Sequence, residues 1–360
     1  MQEFYCKTKV ISGESALDWL KQQRCERLLL VTDPYFQQSG LAQSIAQRIP
    51  AKQREIFAKV KPDPTVELAA EGTALMRQLQ PDLLVALGGG SAMDTAKAMR
   101  NFTGEDETFI AIPTTSGSGS EVTNFSVLTH GEVKYPLIHP KMQPDVAILD
   151  DALVRTLPPK LVAEGGFDVL SHALEAVAAT KGNGITQALA TDAFCTVFAN
   201  LGASYRGDVS VRAAVHLAST MAGIAFSQAG LGVCHALSHS LGGLVHLPHG
   251  MLNAILLPEV ISFNAQASAA VYGRLARMAG IGAASDTMAV RNLRNGLIRL
   301  RKDLHLPATL QEAGIPRHTL AQQREKILDA AMKDPCMETN PVKPDRAQLG
   351  RLLEAVAGRG

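Results

Sequence analysis

Four of the chain's ten histidines, His235, His239, His246 and His249, fall within "GVCHALSHSLGGLVHLPHG" (232–250). His235 and His239 are spaced i,i+4 in a helix-period segment, so their side chains share one face. The same spacing recurs in "GGFDVLSHALEAV" (165–177), which places Asp168 and His172 together. His249 follows Pro248, at a turn that brings it in from a separate backbone direction. Imidazole nitrogens with a carboxylate are a ligand set for Zn²⁺, Fe²⁺ or another divalent ion. A lone histidine on an apolar helix is more often a packed core residue than a ligand, but two i,i+4 pairs joined by further histidines point to a metal site or a proton relay. His246, between Val245 and Leu247, reads as packing.

A second chemistry is written in glycine. "LLVALGGGSAMDTAKAM" (83–99) runs from a strand through Gly88, Gly89, Gly90 and Ser91 into a helix. Glycines let the backbone approach a ligand closely, and the free N–H groups at the helix start attract phosphate. "PTTSGSGSEVT" (113–123) follows another strand and sets Thr114, Thr115, Ser116, Ser118 and Ser120 on a loosened backbone. Two such loops after strands of one parallel sheet meet at its carboxyl edge, where nucleotides bind. Asp33 ends the strand "RLLLVTD". It is placed to accept from ribose hydroxyls and would repel a 2′-phosphate, which favours NAD over NADP; before Pro34 it is also a turn former.

These residues need two different scaffolds. Up to about residue 150, β-branched runs at 27–33, 54–60, 81–87, 108–114 and 145–150 alternate with helical patterns such as "LAQSIAQRI", "TVELAAEGTALMRQLQ" and "SAMDTAKAM". Such alternation predicts a parallel sheet covered on both faces. After "TLPPKL" (156–161) strand signals nearly vanish, and helices are expected over 161–179, 186–201, 209–227, 231–244, 267–279, 286–303 and 319–333. Pro158–Pro159 is the boundary candidate. The expected organisation is therefore an α/β dinucleotide-binding domain over 1–157 and an all-α metal-binding domain over 158–360.

Composition agrees with small ligands. At 360 residues two domains are the default. An apolar content of 46% supports a large interior, and a net charge of +1 gives no electrostatic reason to expect nucleic acid or an anionic membrane as partner. Five scattered cysteines without a CxxC pair argue against a disulfide framework or a thiolate zinc site. Cys234, beside His235, is the one to watch. The N-terminus lacks the continuous apolar run of a secretory signal, and no uninterrupted apolar stretch reaches the ~18 residues of a membrane span, so a cytoplasmic protein is expected. The stretch "FYCKTKVI" offers a strand edge for pairing in a homodimer.

The chain resembles the iron-containing (group III) alcohol dehydrogenase family along nearly its whole length. The matching blocks are "GGGSAMDTAK", "IPTTSGSGSEVT", "VKYPL", "PDVAILD", "DVLSHALEA", "AFSQAGLGVCHALSHSLGG", "LPHGMLNAILLP" and "DPCMETNP". "AFSQAGLG" and the compact middle are similar to the propanol and ethanol dehydrogenases that accompany bacterial microcompartments. The resemblance implies a dehydroquinate synthase-like architecture, with Asp168, His172, His235 and His249 as metal ligands and His239 as a non-ligand near the nicotinamide. It puts Asp33, Gly89, Gly90, Ser91, Asp94, Thr114, Thr115, Ser118 and Lys134 on cofactor-contacting positions, and Phe226 on the wall of the substrate cleft. Ser118, Asp151, Gln228 and Val342 depart from the common pattern, and none of them removes a ligand.

The implied activity is reversible hydride transfer between NAD and a small primary alcohol or its aldehyde, with His239 carrying the proton. A ligand set without thiolates favours Fe²⁺, with Zn²⁺ as the alternative. A polyol or hydroxy-acid dehydrogenase would share the fold. A dehydroquinate-synthase-like lyase would need cationic residues around its phosphorylated substrate, and 165–180 and 225–250 contain neither Lys nor Arg. A metallohydrolase gives the glycine loops no role. A non-catalytic microcompartment-associated protein is the remaining alternative.

Overall fold

A computed structural model of the chain describes residues 3–131, 133–245 and 247–358. Its contacts form two compact units, one from Tyr5 to Leu157 and one from Pro158 onward that also takes in Glu3 and Phe4.

The first unit contains β1 (Lys9–Gly13), β2 (Cys25–Val31), α1 (Pro34–Gln38), α2 (Leu41–Arg48), β3 (Ala51–Phe57), α3 (Val66–Leu79), β4 (Leu83–Gly88), α4 (Gly90–Thr103), β5 (Thr108–Pro113), β6 (Phe125–His130), β7 (Val133–Ile138) and β8 (Val146–Asp150). Among the described residues the main sheet has the order β1-β8-β5-β4-β2-β3, with every pair parallel. Its central strands read as unbroken apolar runs because both faces are covered. Leu28, Leu30, Val85, Leu87, Ile110 and Ile112 pack with Ile45 and Ile49 on one side. Leu29, Val31, Leu84, Ala86 and Phe109 pack with Met76, Met93 and Met99 on the other. From β2 the chain steps outward to β3, then returns to place β4 on β2's opposite flank. That reversal puts the topological switch point between β2 and β4, and the crevice at their carboxyl ends is where open α/β sheets bind ligands.

Two features of this unit differ from the sequence expectation. "ESALDWLKQQ", whose apolar spacing predicts an α-helix, instead forms a 3₁₀ helix over Ala16–Gln22, with the Leu17 N–H bound to Asp150 Oδ2 at 2.9 Å. Residues 125–138, which lie outside the strand runs read from the sequence, form the antiparallel β6–β7 ribbon outside the main sheet. Its "VKYPL" strand holds a proline, which is tolerated in a two-stranded edge. Part of "FYCKTKVI" is also spent internally, since Lys9–Gly13 pairs with β8 at the sheet margin.

The second unit is helical: α5 (Pro159–Ala178), α6 (Gly184–Tyr205), α7 (Arg212–Ala229), α8 (Val233–Val245), α9 (His249–Met278), α10 (Asp286–Asp303), α11 (Arg317–Lys333) and α12 (Arg346–Ala357). The stretches 209–229 and 249–278 are long and apolar enough to cross a bilayer, yet about half of each is buried inside this fold, as core helices are. The expected 267–279 helix is the end of the longer α9, which bends at Ser268, where φ is −118°. α9 hid from pattern reading because Pro258 interrupts it. Proline removes the N–H that Ala254 C=O would receive, and Arg301 Nη1 on α10 donates to that oxygen at 3.1 Å instead.

Replacing Arg301 with leucine should therefore cost about 1–3 kcal/mol, the cost of a buried unsatisfied carbonyl. In urea unfolding the loss should shrink when Pro258→Ala restores the donor. An equal loss in both backgrounds would show that Arg301 acts elsewhere.

Candidate metal centre and nucleotide loops

The proline pair that ends the α/β unit also starts α5, with Pro159 at its first turn, where a missing N–H costs nothing. Two turns later Asp168 and His172 point the same way, His172 Nε2 lying 3.9 Å from Asp168 Oδ1. α8 delivers His235, whose Nε2 is also 3.9 Å from that oxygen. α9 begins with His249, and its Nε2 approaches to 3.6 Å. This last approach depends on Gly250, because a Cβ there would sit 2.0 Å from the carbonyl oxygen of Glu164 on α5. The ligand atoms of Asp168, His235 and His249 all lie within 4.8 Å of one another. His172 joins through Asp168 and stacks on His235 with ring centroids 4.5 Å apart. Four donors bonded at Zn–N lengths to one tetrahedral ion would be roughly 3.4 Å apart, so the spacing around Asp168 needs only a small contraction to hold a cation. Phe226 stacks on the outer face of His172 at 4.3 Å and walls the cluster.

Electrostatics favour the same occupant. Burial pushes the Asp168 carboxyl above its ordinary range against the pull of His172 and the Asn253 hydrogen bond. Burial, reinforced by His172 and His239, holds His235 well below the ordinary histidine range. A neutral imidazole at His235 keeps its lone pair for a cation, and a cation would offset the cost of the buried carboxylate.

Glu175, which the sequence analysis passed over, organises the cluster. Its carboxylate accepts the N–H groups of Gly232 at 3.0 Å and Cys234 at 2.7 Å, at the start of α8. It also lies 2.6 Å from His235 Nδ1. That contact assigns the ring proton to Nδ1 and leaves the Nε2 lone pair turned to Asp168. The backbone N–H of His235 is a fourth donor, at 3.4 Å, and burial lifts Glu175 to about 7 against the backbone N–H groups of Cys234, Gly232 and His235. The signal was available, since Glu175 is spaced i+7 from Asp168 and i+3 from His172 on one helix face. Asn253 Nδ2 donates to Asp168 Oδ1 at 2.8 Å, and its own oxygen accepts from Ser238. Cys234 is buried with its thiol pushed well up by burial and lies against Asn253, a packing role.

His239 takes a different partner. Its Nδ1 lies 2.8 Å from Asp334 Oδ2, and its ring stacks on His249 at 5.2 Å. Burial would raise Asp334, but the bonds from His239 and from the Cys336 N–H outweigh it and hold the carboxyl at about 2. Asp334 comes from "DPCMETNP", a block far along the chain that only folding brings near. His246 lies outside the described residues.

In the α/β unit, Gly88 has φ 149° and Gly89 caps α4 without any side-chain acceptor. A Cβ on Gly89 would meet Thr115 Oγ1 at 3.2 Å, and one on Gly90 would meet Ser118 Cβ at 3.2 Å. The two loops therefore abut at the ends of adjacent strands, and the Thr114 N–H bonds Gly88 O at 3.0 Å. Ser91 sits half-buried in the first turn of α4. Asp33, just past β2, caps α1 by accepting from the Phe36 N–H at 3.1 Å. Asp94 turns to the protein, accepting from Ser120 Oγ at 2.9 Å and Val127 N–H at 3.2 Å. Lys134 pairs with Asp63 at 2.6 Å and favours the charged form of Asp94. Lys97, unremarked in the sequence, is fully buried and gives its three protons to Ser120, Thr123 and the Phe125 carbonyl at 2.8, 2.8 and 2.9 Å.

Two family models match this chain: iron-containing alcohol dehydrogenase over residues 7–151, and the Fe-containing alcohol dehydrogenase family C-terminal region over 162–357. The chain belongs to the iron-containing alcohol dehydrogenase family. It is an oxidoreductase of that class. A 1-propanol dehydrogenase of Citrobacter freundii is 40% identical, with 98% of this chain and 99% of the relative covered. An NADPH-dependent butanol dehydrogenase of Clostridium saccharobutylicum is 35% identical, covering 99% and 98%. The solved iron-containing alcohol dehydrogenase of Thermococcus thioreducens superimposes with a TM-score of 0.89 at 34% identity, over 98% of this chain and 99% of that one.

Changing Glu175 to glutamine keeps its shape but sets an NH₂ group against backbone donors. Affinity for Fe²⁺ should fall about 10–100-fold, read by anaerobic competition with a chelator. Unchanged affinity would remove Glu175 from the organisation of the site.

Proposed function

We propose that this protein is an NAD-dependent, divalent-metal-dependent alcohol dehydrogenase and aldehyde reductase for small primary alcohols of the ethanol and 1-propanol class. The observation that carries the reading is the gathering of three imidazole Nε2 atoms around one oxygen of Asp168. Asp168, His172, His235 and His249 would hold Fe²⁺, or Zn²⁺ in its place, supplying Lewis acidity to the alcohol or carbonyl oxygen. NAD supplies the hydride acceptor.

The chain's own residues do the rest. Gly88–Ser91 and Thr114–Ser118 fix the dinucleotide through backbone N–H groups and hydroxyls. Asp334 accepts the Nδ1 proton of His239, so the ring's Nε2 carries the lone pair that takes up the alcohol proton. His239 is partly exposed, with 16% of its side chain accessible, which gives the proton an exit to water. Phe226, buried against His172, supports an apolar wall that suits a short alkyl chain. Small aliphatic substrates also match the names of the propanol and butanol dehydrogenase relatives. Cytoplasmic residence inside a bacterial microcompartment and homodimer formation through the outer edge of β1 belong to the same reading. An unpaired sheet edge is a surface that proteins cover.

Protein reconstituted anaerobically with Fe²⁺ should produce NADH absorbance from ethanol and 1-propanol plus NAD⁺, and less from polyols and hydroxy acids. No signal with any primary alcohol or aldehyde would overturn the reading. Asp334→Asn should lower kcat about a hundredfold and move the inflection of the pH–rate profile, with Fe²⁺ content unchanged.

Cofactor choice has its own test. Asp33→Ser keeps a capping oxygen for α1 while removing the charge. The ratio of kcat/KM for NADP⁺ to that for NAD⁺ should rise at least tenfold, about 1.4 kcal/mol. An unchanged ratio would leave Asp33 as a cap alone.

A further inference from the structure

Beside the first cluster lies a second set of potential ligands that the proposed reaction does not use as such. The side-chain donors of His239, Asp334 and Cys336 lie within 4.8 Å of one another, and all three residues are partly buried. The Asp334–Cys336 turn is held by the Cys336 N–H bonding Asp334 Oδ1 at 2.8 Å, which leaves the second carboxylate oxygen facing His239 Nδ1. The two sets differ in chemistry. The Asp168 cluster has only nitrogen and oxygen donors, whereas this one adds a sulfur, and a thiolate selects softer, zinc-like ions.

We propose that His239, Asp334 and Cys336 form an inhibitory binding site for Zn²⁺ or another thiophilic cation, separate from the site of the working metal. On binding, the Cys336 S–H bond breaks, its proton goes to solvent, and the sulfur's electron pair is donated to the cation. His239 enters through Nδ1, the atom already aimed at Asp334, so its ring proton is transferred through solvent to Nε2. No oxidant or reductant is needed. The consequence follows from the tautomer: the nitrogen that takes up the alcohol proton now carries one. The cation thus disables the proton carrier without displacing the working metal. This inhibition rests on the proton-carrying reading of His239, while the binding site itself does not.

The test separates the two. One equivalent of Co²⁺ is added anaerobically to the Fe²⁺-loaded holoenzyme, and the near-ultraviolet thiolate-to-cobalt charge-transfer band is recorded. Wild type should show the band, and Cys336→Ser and Cys336→Ala, each checked for full Fe²⁺ content, should lose it. No band in wild type, or a band that survives both substitutions, would overturn the site. In parallel, Zn²⁺ should reduce wild-type turnover about a hundredfold, the scale of a lost general acid–base step. A chelator too weak to remove the working iron should reverse the inhibition, and Cys336→Ala should resist it. A thiolate band accompanied by undiminished turnover would keep the site and overturn the role of His239.

Discussion

The helical unit depends on one buried carboxylate. Glu175 accepts the N–H groups that open α8, where no helical partner exists for them, and the same oxygens hold the Nδ1 proton of His235. A single group thus sets where α8 begins, how it is rotated and which nitrogen of its first histidine is free. Because His239 lies one turn further on that helix, its position beside Asp334 follows from the same anchor. Burial costs Glu175 part of its acidity, a strain that persists because four donors converge on it.

Around this anchor, backbone proximity does what side-chain chemistry alone could not. Gly250 lets α9 start against the α5 backbone, which brings His249 within 3.6 Å of Asp168. The further run of α9 survives an internal proline because Arg301 supplies the missing donor. Local sequence reads Pro258 as a break, and a residue 43 positions later in the chain cancels it.

The α/β unit solves a parallel problem with a cation. Lys97 is fully buried and directs its three protons to oxygens of the second loop and the ribbon, while Asp94 grips the same segment from the helix. Burial lowers Lys97 to about 8 against the charges of Asp94 and Glu121. These polar bonds fix the loop that stands against Gly89 and Gly90, so the carboxyl edge of the sheet is shaped from beneath. Asp94 therefore shapes the loop from within the protein, whatever its relation to a bound dinucleotide.

Periodicity and local rules sufficed for the alternating strands and helices, for the glycine turns that follow β4 and β5 and for the shared face of Asp168 and His172, since all of these are set by residues within a few positions of one another. The β6–β7 ribbon, α12 and the first half of α9 escaped because their short, interrupted patterns gain definition only from packing. Asp168, His172, His235 and His249 could be named from sequence as candidates, helped by a family resemblance. Their meeting around one oxygen, and the tautomers set by Glu175 and Asp334, were decided by contacts spanning about sixty to ninety-five positions. Spacing along a chain determines which side chains share a face. Only close packing between helices determines which faces meet, and a hydrogen bond across that contact determines which nitrogen is free to react.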